Sequence, residues 1–195
     1  MGALVDIANL LIQTFFNFFM LAVLLRLLLQ LARADFYNPI SQFLVKVTTP
    51  ALAPLRRLIP GVAGIDMASV VLVLILQVAA TILLILLRGY GIPNPLSLLI
   101  WGALGTIGMV INIYFVAILV SIILSWVAPG SYNPVVLLLH QLTEPVMAPF
   151  RKLLPSMGGL DLSPIFVFLA INVLQIIINH LATATGLPFA YVIGL

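Results

Sequence analysis

The apolar positions of this chain neither alternate with a period of two nor keep to one helical face; they run on. Four stretches stay apolar for about 20 residues or more, the length that carries a helix across ~30 Å of hydrocarbon. They run from Ile7 to Leu31, Ala68 to Leu87, Leu96 to Val127 and Pro164 to Leu181. Arg26, near the end of the first, is expected to snorkel its guanidinium toward the headgroups. Arg88 closes the second. The third holds no charged residue and is long for one straight crossing, so tilt or an interfacial first turn near Trp101 is expected. Ser163 and Pro164 suit the N-cap and first turn of the fourth. A membrane barrel would need strands of about 10 residues alternating in polarity, and these runs do not alternate. The pattern predicts an all-α membrane protein with four transmembrane helices.

The segments between the runs repeat. At an offset of 95, residues 37–66 align without gaps on 132–161, with 13 of 30 positions identical. The shared positions form a grid. Asn38, Pro39, Pro50, Pro54, Arg56, Pro60 and Asp66 fall on Asn133, Pro134, Pro145, Pro149, Arg151, Pro155 and Asp161, and Arg57 falls on Lys152. Chance agreement between membrane segments gives Leu against Val, not Pro, Arg and Asp in step, so the chain is two tandem span–loop–span units. One covers 1–90 and the other 96–195, joined by Gly89 to Pro95. Both loops then share one side of the membrane, and the units are related by an axis along its normal. Most of the lysines and arginines lie in those loops, which the positive-inside rule places in the cytoplasm, with both termini opposite.

Each loop reads in two parts. Ile40 to Thr49 is amphipathic, with Phe43, Leu44 and Val47 on one face and Gln42, Lys46 and Thr49 on another. Thr49 then suits the cap of a second short helix with Pro50 in its first turn, Arg56 and Arg57 in its last, and Pro60 as its stop. Glu144-Pro145 and Arg151-Lys152 take the same places in the second unit. Helices this short lie in the interface, with their cations near lipid phosphates. The fixed proline spacing and the closing aspartates also suit a docking surface for a membrane-protein partner. Local roles are expected for Asp66 and Asp161, as caps of the following helices or as partners of a nearby arginine.

The same offset pairs Asn17 with Asn112 and Gln77 with Asn172, one amide near the middle of each span. Amides in hydrocarbon need partners. Interhelical hydrogen bonding is the plain reading, and a polar midplane path for ions or osmolytes is the alternative. Gly102, Gly105 and Gly108 make a small face on the third span that suits close packing.

Composition narrows the chemistry. The chain is 64% apolar and 7% charged, against about a quarter charged in soluble domains, so the bilayer is part of its solvent. It has no cysteine, which excludes disulfides, thiol catalysis and cysteine-held clusters. The net charge of +3 does not suggest nucleic-acid binding. The first run is too long for a signal h-region and is taken as retained. No nucleotide loop, dinucleotide fingerprint, zinc-protease helix or serine elbow is present. His140 and His180 lie a membrane apart. No catalytic residue, cofactor or metal site is expected.

The pattern Pro54-Leu55-Arg56-Arg57-Leu58-Ile59-Pro60 with Gly64-Ile65-Asp66 resembles the YggT (YlmG) family. So does its copy, Pro149-Phe150-Arg151-Lys152-Leu153-Leu154-Pro155 with Gly158-Gly159-Leu160-Asp161-Leu162-Ser163-Pro164. The likeness covers nearly the whole chain as two repeats. Gln30-Leu31 and Ala68-Ser69 depart from the family pattern, and Ser121 stands opposite Arg26. The resemblance implies a bacterial inner-membrane protein without enzymatic activity. Plant relatives are associated with cytochrome b6 maturation and nucleoid distribution, and bacterial ones with division-gene neighbourhoods and osmotic tolerance. Two functions follow as expectations: a scaffold or assembly factor using the loops to hold partners or lipids, and an ion or osmolyte transport component using the amides, in a homo-oligomer.

Overall fold

In a computed structural model, residues 2–153 and 161–195 are described. Six α-helices follow in chain order: α1 (Gly2–Leu31), α2 (Pro39–Leu58), α3 (Met67–Leu87), α4 (Pro95–Val127), α5 (Pro134–Leu153) and α6 (Ser163–Ala184). Four of them, α1, α3, α4 and α6, are long and apolar enough to cross a membrane. The repeat is carried into the backbone: α2 and α5 begin and end at the same 95-residue offset. Asn-Pro starts each of them. The Asn38 and Asn133 carboxamides accept from the amides of Ile40 and Val135, both at 2.9 Å. Asn94 caps α4 in the same manner, at 2.8 Å from the Leu96 amide. A proline next to the cap needs no amide partner, which makes Asn-Pro an efficient helix start.

Within each unit the two spans pack on each other and the amphipathic helix packs on both. α3 against α4 joins the units. The inner stripe of α3 recurs every three or four residues, through Ser69, Val73, Gln77, Ala80 and Leu84, all fully buried. Between helices in lipid there is no hydrophobic drive, so small residues and close contact do this work. The fully buried residues of α1 run from Met20 to Leu29, and before them Leu4, Ile7, Leu10, Leu11, Phe15 and Phe18 are exposed.

The loop helices differ from expectation. Neither Thr49 nor Glu144 caps a second helix: α2 and α5 each run unbroken for 20 residues through both internal prolines. Pro50 and Pro54 lie four apart on the exposed side, where the missing amides and ring bulk are tolerated. Their φ is that of a helix, so the chain continues. The buried stripe of α2 is Ser41, Leu44, Thr48 and Leu52. Phe43 and Val47 face outward instead, because the Ser41 and Thr48 hydroxyls satisfy themselves on the carbonyls of Asp35 and Leu44 and can be buried.

A second difference is the segment after α6. Gly186, at φ +67°, ends the helix, and the chain returns through a 3₁₀ turn (Phe189–Tyr191) into the bundle. Leu187, Val192 and Ile193 are buried there. Irregular backbone at membrane depth requires protein donors. Gln77 Nε2 donates to the Ile193 carbonyl at 2.7 Å, Asn112 Nδ2 to the Gly194 carbonyl at 3.1 Å, and Gln13 Nε2 to the Ala190 carbonyl at 2.9 Å. The small face of α4 makes the room. A Cβ on Gly105 would strike Gln77, the Val192 side chain and the Ile193 carbonyl, and one on Gly108 would strike Gly194 and Leu195. The Trp101 ring packs inside the protein rather than against its outer surface. It is buried and donates to the Thr185 carbonyl at the end of α6, at 3.2 Å.

Gly105→Val should therefore expel the tail. It is expected to lower the unfolding stability of purified protein by about 1–3 kcal/mol and to raise maleimide labelling of a cysteine placed at Ile193. Gly102→Ala, whose new methyl meets Val78 Cγ2 at 3.3 Å, should be mild. Equal effects of the two would show that the tail is not seated on this face.

Candidate functional site

The two repeat loops meet. Asn38 Nδ2 donates to the Pro134 carbonyl at 2.7 Å, and Gln141 Oε1 accepts from the Asp35 amide at 2.9 Å. With α2 and α5 in contact, the amphipathic helices form one platform at the same end of all four spans. Asp6 and Arg88 pair at 3.1 Å at the other end.

Two classes of basic side chain occupy the platform. Arg56 bonds to Asp66 through both Nε, at 3.2 Å, and Nη2, and Ser69 Oγ donates to the same carboxylate oxygen at 2.7 Å. Arg151 bonds to Asp161 through Nε at 3.0 Å and to Glu144 through Nη1 at 2.6 Å. The Ser163 amide, the first of α6, donates to Asp161 at 2.9 Å, so this aspartate, one residue before the N-cap Leu162, also takes up a free amide at the start of α6. These arginines fasten the end of an amphipathic helix to the start of the next span. Arg57, Lys152 and Lys46 are exposed and make no ion pair among the described residues. Pro50, Pro54, Pro60, Pro145 and Pro149 are likewise exposed. Pro155 lies outside the described residues.

The apolar faces of the platform are unequal. Leu138 and Leu142 of α5 are buried in the cluster that α1, α2, α3 and α4 share. Their counterparts at the repeat offset, Phe43 and Val47, are 62% and 38% exposed. Followed by Pro50, Pro54 and Leu58 they make an uncovered stripe along α2.

Arg26 does not snorkel. It is 6% exposed and turns into the protein. Its Nη1 donates to Thr48 Oγ1 at 2.7 Å, Thr49 Oγ1 at 3.2 Å and the Val45 carbonyl at 3.5 Å. A cavity of about 690 Å³ lies beside it, bounded by Arg56, Asp66 and the turn Gly61 to Ile65. Nothing in hydropathy signals this inward arginine. The Thr48-Thr49 pair ahead of Pro50 is the one clue, since threonines there can bridge a donor to a helix that has lost an amide.

The four amides do not converge. Gln77 is fully buried and, with Asn112, holds the tail; Gln175 Nε2 donates to Asn112 Oδ1 at 3.0 Å. Asn172 donates to the Phe168 carbonyl of its own helix at 2.7 Å. Asn17 borders two cavities beside the tail. Among the described residues no group of His, Cys, Asp and Glu is placed to hold a metal ion.

A multi-pass helical membrane protein built from a duplicated span–loop–span unit is thus defined by both fold and platform. The chain belongs to the CCB3/YggT family, whose pattern matches it twice, at residues 5–87 and 100–182. It is similar to a Pseudomonas aeruginosa protein, 52% identical over 91% of each chain. It is also similar to YggT of Escherichia coli, 40% identical over 90% of this chain and 91% of the other. YlmG homolog protein 2 of Arabidopsis thaliana chloroplasts is 40% identical over 32% of this chain and 24% of its own. No solved structure matches.

The ion pairs give the platform a pH dependence. Burial alone would raise the Asp66 carboxyl, and the Arg56 and Ser69 hydrogen bonds outweigh it, holding the group below its ordinary value. Asp161 is held low in the same sense: burial raises it, and Ser163 and Arg151 lower it further. A carboxylate depressed in the folded state stabilises above its unfolded pKa, and that contribution is lost as pH falls through the folded one. The melting temperature is expected to fall as pH drops below about 4. Asp66→Asn should lower it at neutral pH and flatten the acid decline. A variant that keeps both the wild-type melting temperature and the acid decline would remove the pair from this role.

Proposed function

We propose that the protein is a non-enzymatic scaffold or assembly factor of the bacterial inner membrane, which holds a partner on the platform formed by α2 and α5. The observation that carries this reading is the uncovered stripe Phe43, Val47, Pro50, Pro54 and Leu58. At the corresponding places on α5, Leu138 and Leu142 are buried within the chain, in a cluster with residues of α1, α2, α3 and α4. A partner with an apolar helical face of that kind, in a heterologous protein or a second copy, would complete the first unit as the first unit completes the second. Arg57, which has no ion pair among the described residues, follows Pro54 and precedes Leu58 on the same helix and would add a charge contact. Arg56 and Arg151 are spent inside the fold and are not the contacts to test.

Solute passage has weaker support. Gln77 and Asn112 are engaged by the tail and Asn172 by its own helix, so no row of open amides links the four spans.

A photo-crosslinking side chain at Phe43 in native membranes should capture one defined partner, and Arg57→Glu should cut the yield several-fold. Equal capture from Leu138, which is buried, would show that the signal is non-specific.

The positive-inside rule places the platform in the cytoplasm. A cysteine at Ser131 should then be shielded from an impermeant maleimide applied to the outer face, while one at Gly91 is labelled. The reverse pattern inverts the orientation.

A further inference from the structure

The two units carry opposite charge at equivalent places. In the first, two guanidiniums, Arg26 and Arg56, face one carboxylate, Asp66. In the second, Ser121 replaces Arg26 and Glu144 replaces Thr49, so one guanidinium, Arg151, faces two carboxylates. The second cluster has no cation without a counter-ion. The first has an excess positive charge, and it sits on Arg26, a side chain more than nine-tenths buried.

Such a cation is costly unless compensated. Nη1 alone makes its hydrogen bonds, all to neutral oxygens; Nε and Nη2 have no protein acceptor among the described residues. Asp66 is already bonded by Arg56 and Ser69. The space in front is the cavity of about 690 Å³. Its floor is held by a tight turn in which Val62 and Ile65 exchange backbone hydrogen bonds of 3.1 and 2.9 Å. Ala63 and Gly64 both take positive φ to close that turn, +52° and +84°, a conformation an alanine adopts at a cost. Phe36, Val45, Ile59 and Ile65 supply apolar walls.

We propose that this cavity binds the phosphodiester of an anionic membrane phospholipid, with the free Nε and Nη2 edge of Arg26 as the guanidinium fork and Arg56, whose own Nε and Nη2 stay on Asp66, adding only its charge and its remaining Nη1 beside it. A guanidinium fork matches phosphate oxygens two at a time. A phosphodiester carries one negative charge, which balances the excess of the cluster. The apolar walls suit the first carbons of the glycerol and acyl chains. The cavity opens five residues before the end of α1, about 7.5 Å along the helix, where a bilayer presents its phosphates. A zwitterionic headgroup is disfavoured because its ammonium would find Asp66 already paired. The site stands apart from the scaffold reading, since it uses none of the outward stripe.

The test is a thermal-shift titration of purified full-length protein in neutral detergent. The additives are phosphatidylglycerol, phosphatidylcholine and inorganic phosphate. Phosphatidylglycerol should raise the melting temperature saturably and phosphatidylcholine should not. Arg26→Met should weaken the phosphatidylglycerol response at least about tenfold. Val45→Trp, which crowds the cavity from its apolar wall and removes no charge, should do the same and decides the matter if Arg26→Met fails to fold. Ser121→Ala, in the second unit, should leave the response intact. Saturation by inorganic phosphate alone would keep the anion site and move its ligand from the bilayer to water. Equal responses to the two lipids, or an undiminished response in folded Arg26→Met and Val45→Trp, would overturn the proposal.

Discussion

Hydrocarbon offers no hydrogen bonds, and most of what is particular to this chain answers that one constraint. Regular helices meet it by themselves. The returning tail cannot, and it is admitted only because three carboxamides on α1, α3 and α4 point at its carbonyls. The same constraint explains the glycines of α4. Amide donors reach a neighbouring backbone only if it comes close, and Gly105 and Gly108 let it come within the space of a missing methyl. At the loop face, the prolines remove amides from α2 and α5, and the threonine hydroxyls ahead of them bond back to carbonyls of the preceding turn. In the first unit Arg26 joins that arrangement and ties the span to the amphipathic helix.

Duplication supplied the frame, and divergence supplied the differences that matter. The helix starts, the proline pairs and the arginine–aspartate clamps are common to both units. What differs is the charge beneath each clamp and the cover over each apolar stripe. The second unit shows that a neutral Ser121 and an added Glu144 are compatible with the same helix geometry. A buried guanidinium retained in one copy only, beside a cavity, therefore points to something outside the chain.

The spans, the repeat and the amphipathic helices were legible because they rest on composition and period, which act over many residues. The helix starts at Asn38 and Asn133 rest on local chemistry and could be assigned from the dipeptide. The unbroken course of α2 could not. Thr49-Pro50 is a good cap and first turn in isolation, and only packing of Leu44, Thr48 and Leu52 on the spans decides that the helix continues. Phe43 and Leu44 are adjacent in sequence and equally apolar, so their opposite fates depend on where α1 lies. The seat of the tail is not legible for a different reason. Phe189 to Leu195 is too short to span and has no period, and its seat becomes visible only when Gly105, Gly108, Gln77 and Asn112 are seen around it. Those residues stand out in the sequence; their common partner does not.

Charge placement gives the loops their division of labour. An arginine at the end of an amphipathic helix can act on a lipid phosphate, on a partner or on its own chain, and sequence alone treats these alike. Arg56 and Arg151 are bound to the aspartates that open the next spans, which fixes the angle between platform and bundle. Arg57 and Lys152, one residue on, point away and have no such duty. Adjacent residues of the same charge thus serve opposite ends: the inner pair holds the platform rigid, and the outer pair leaves it charged. A surface that is rigid, charged at its edge and apolar along one helix has the properties of a docking face, and the carboxylates closing each motif are what free that face from folding duties.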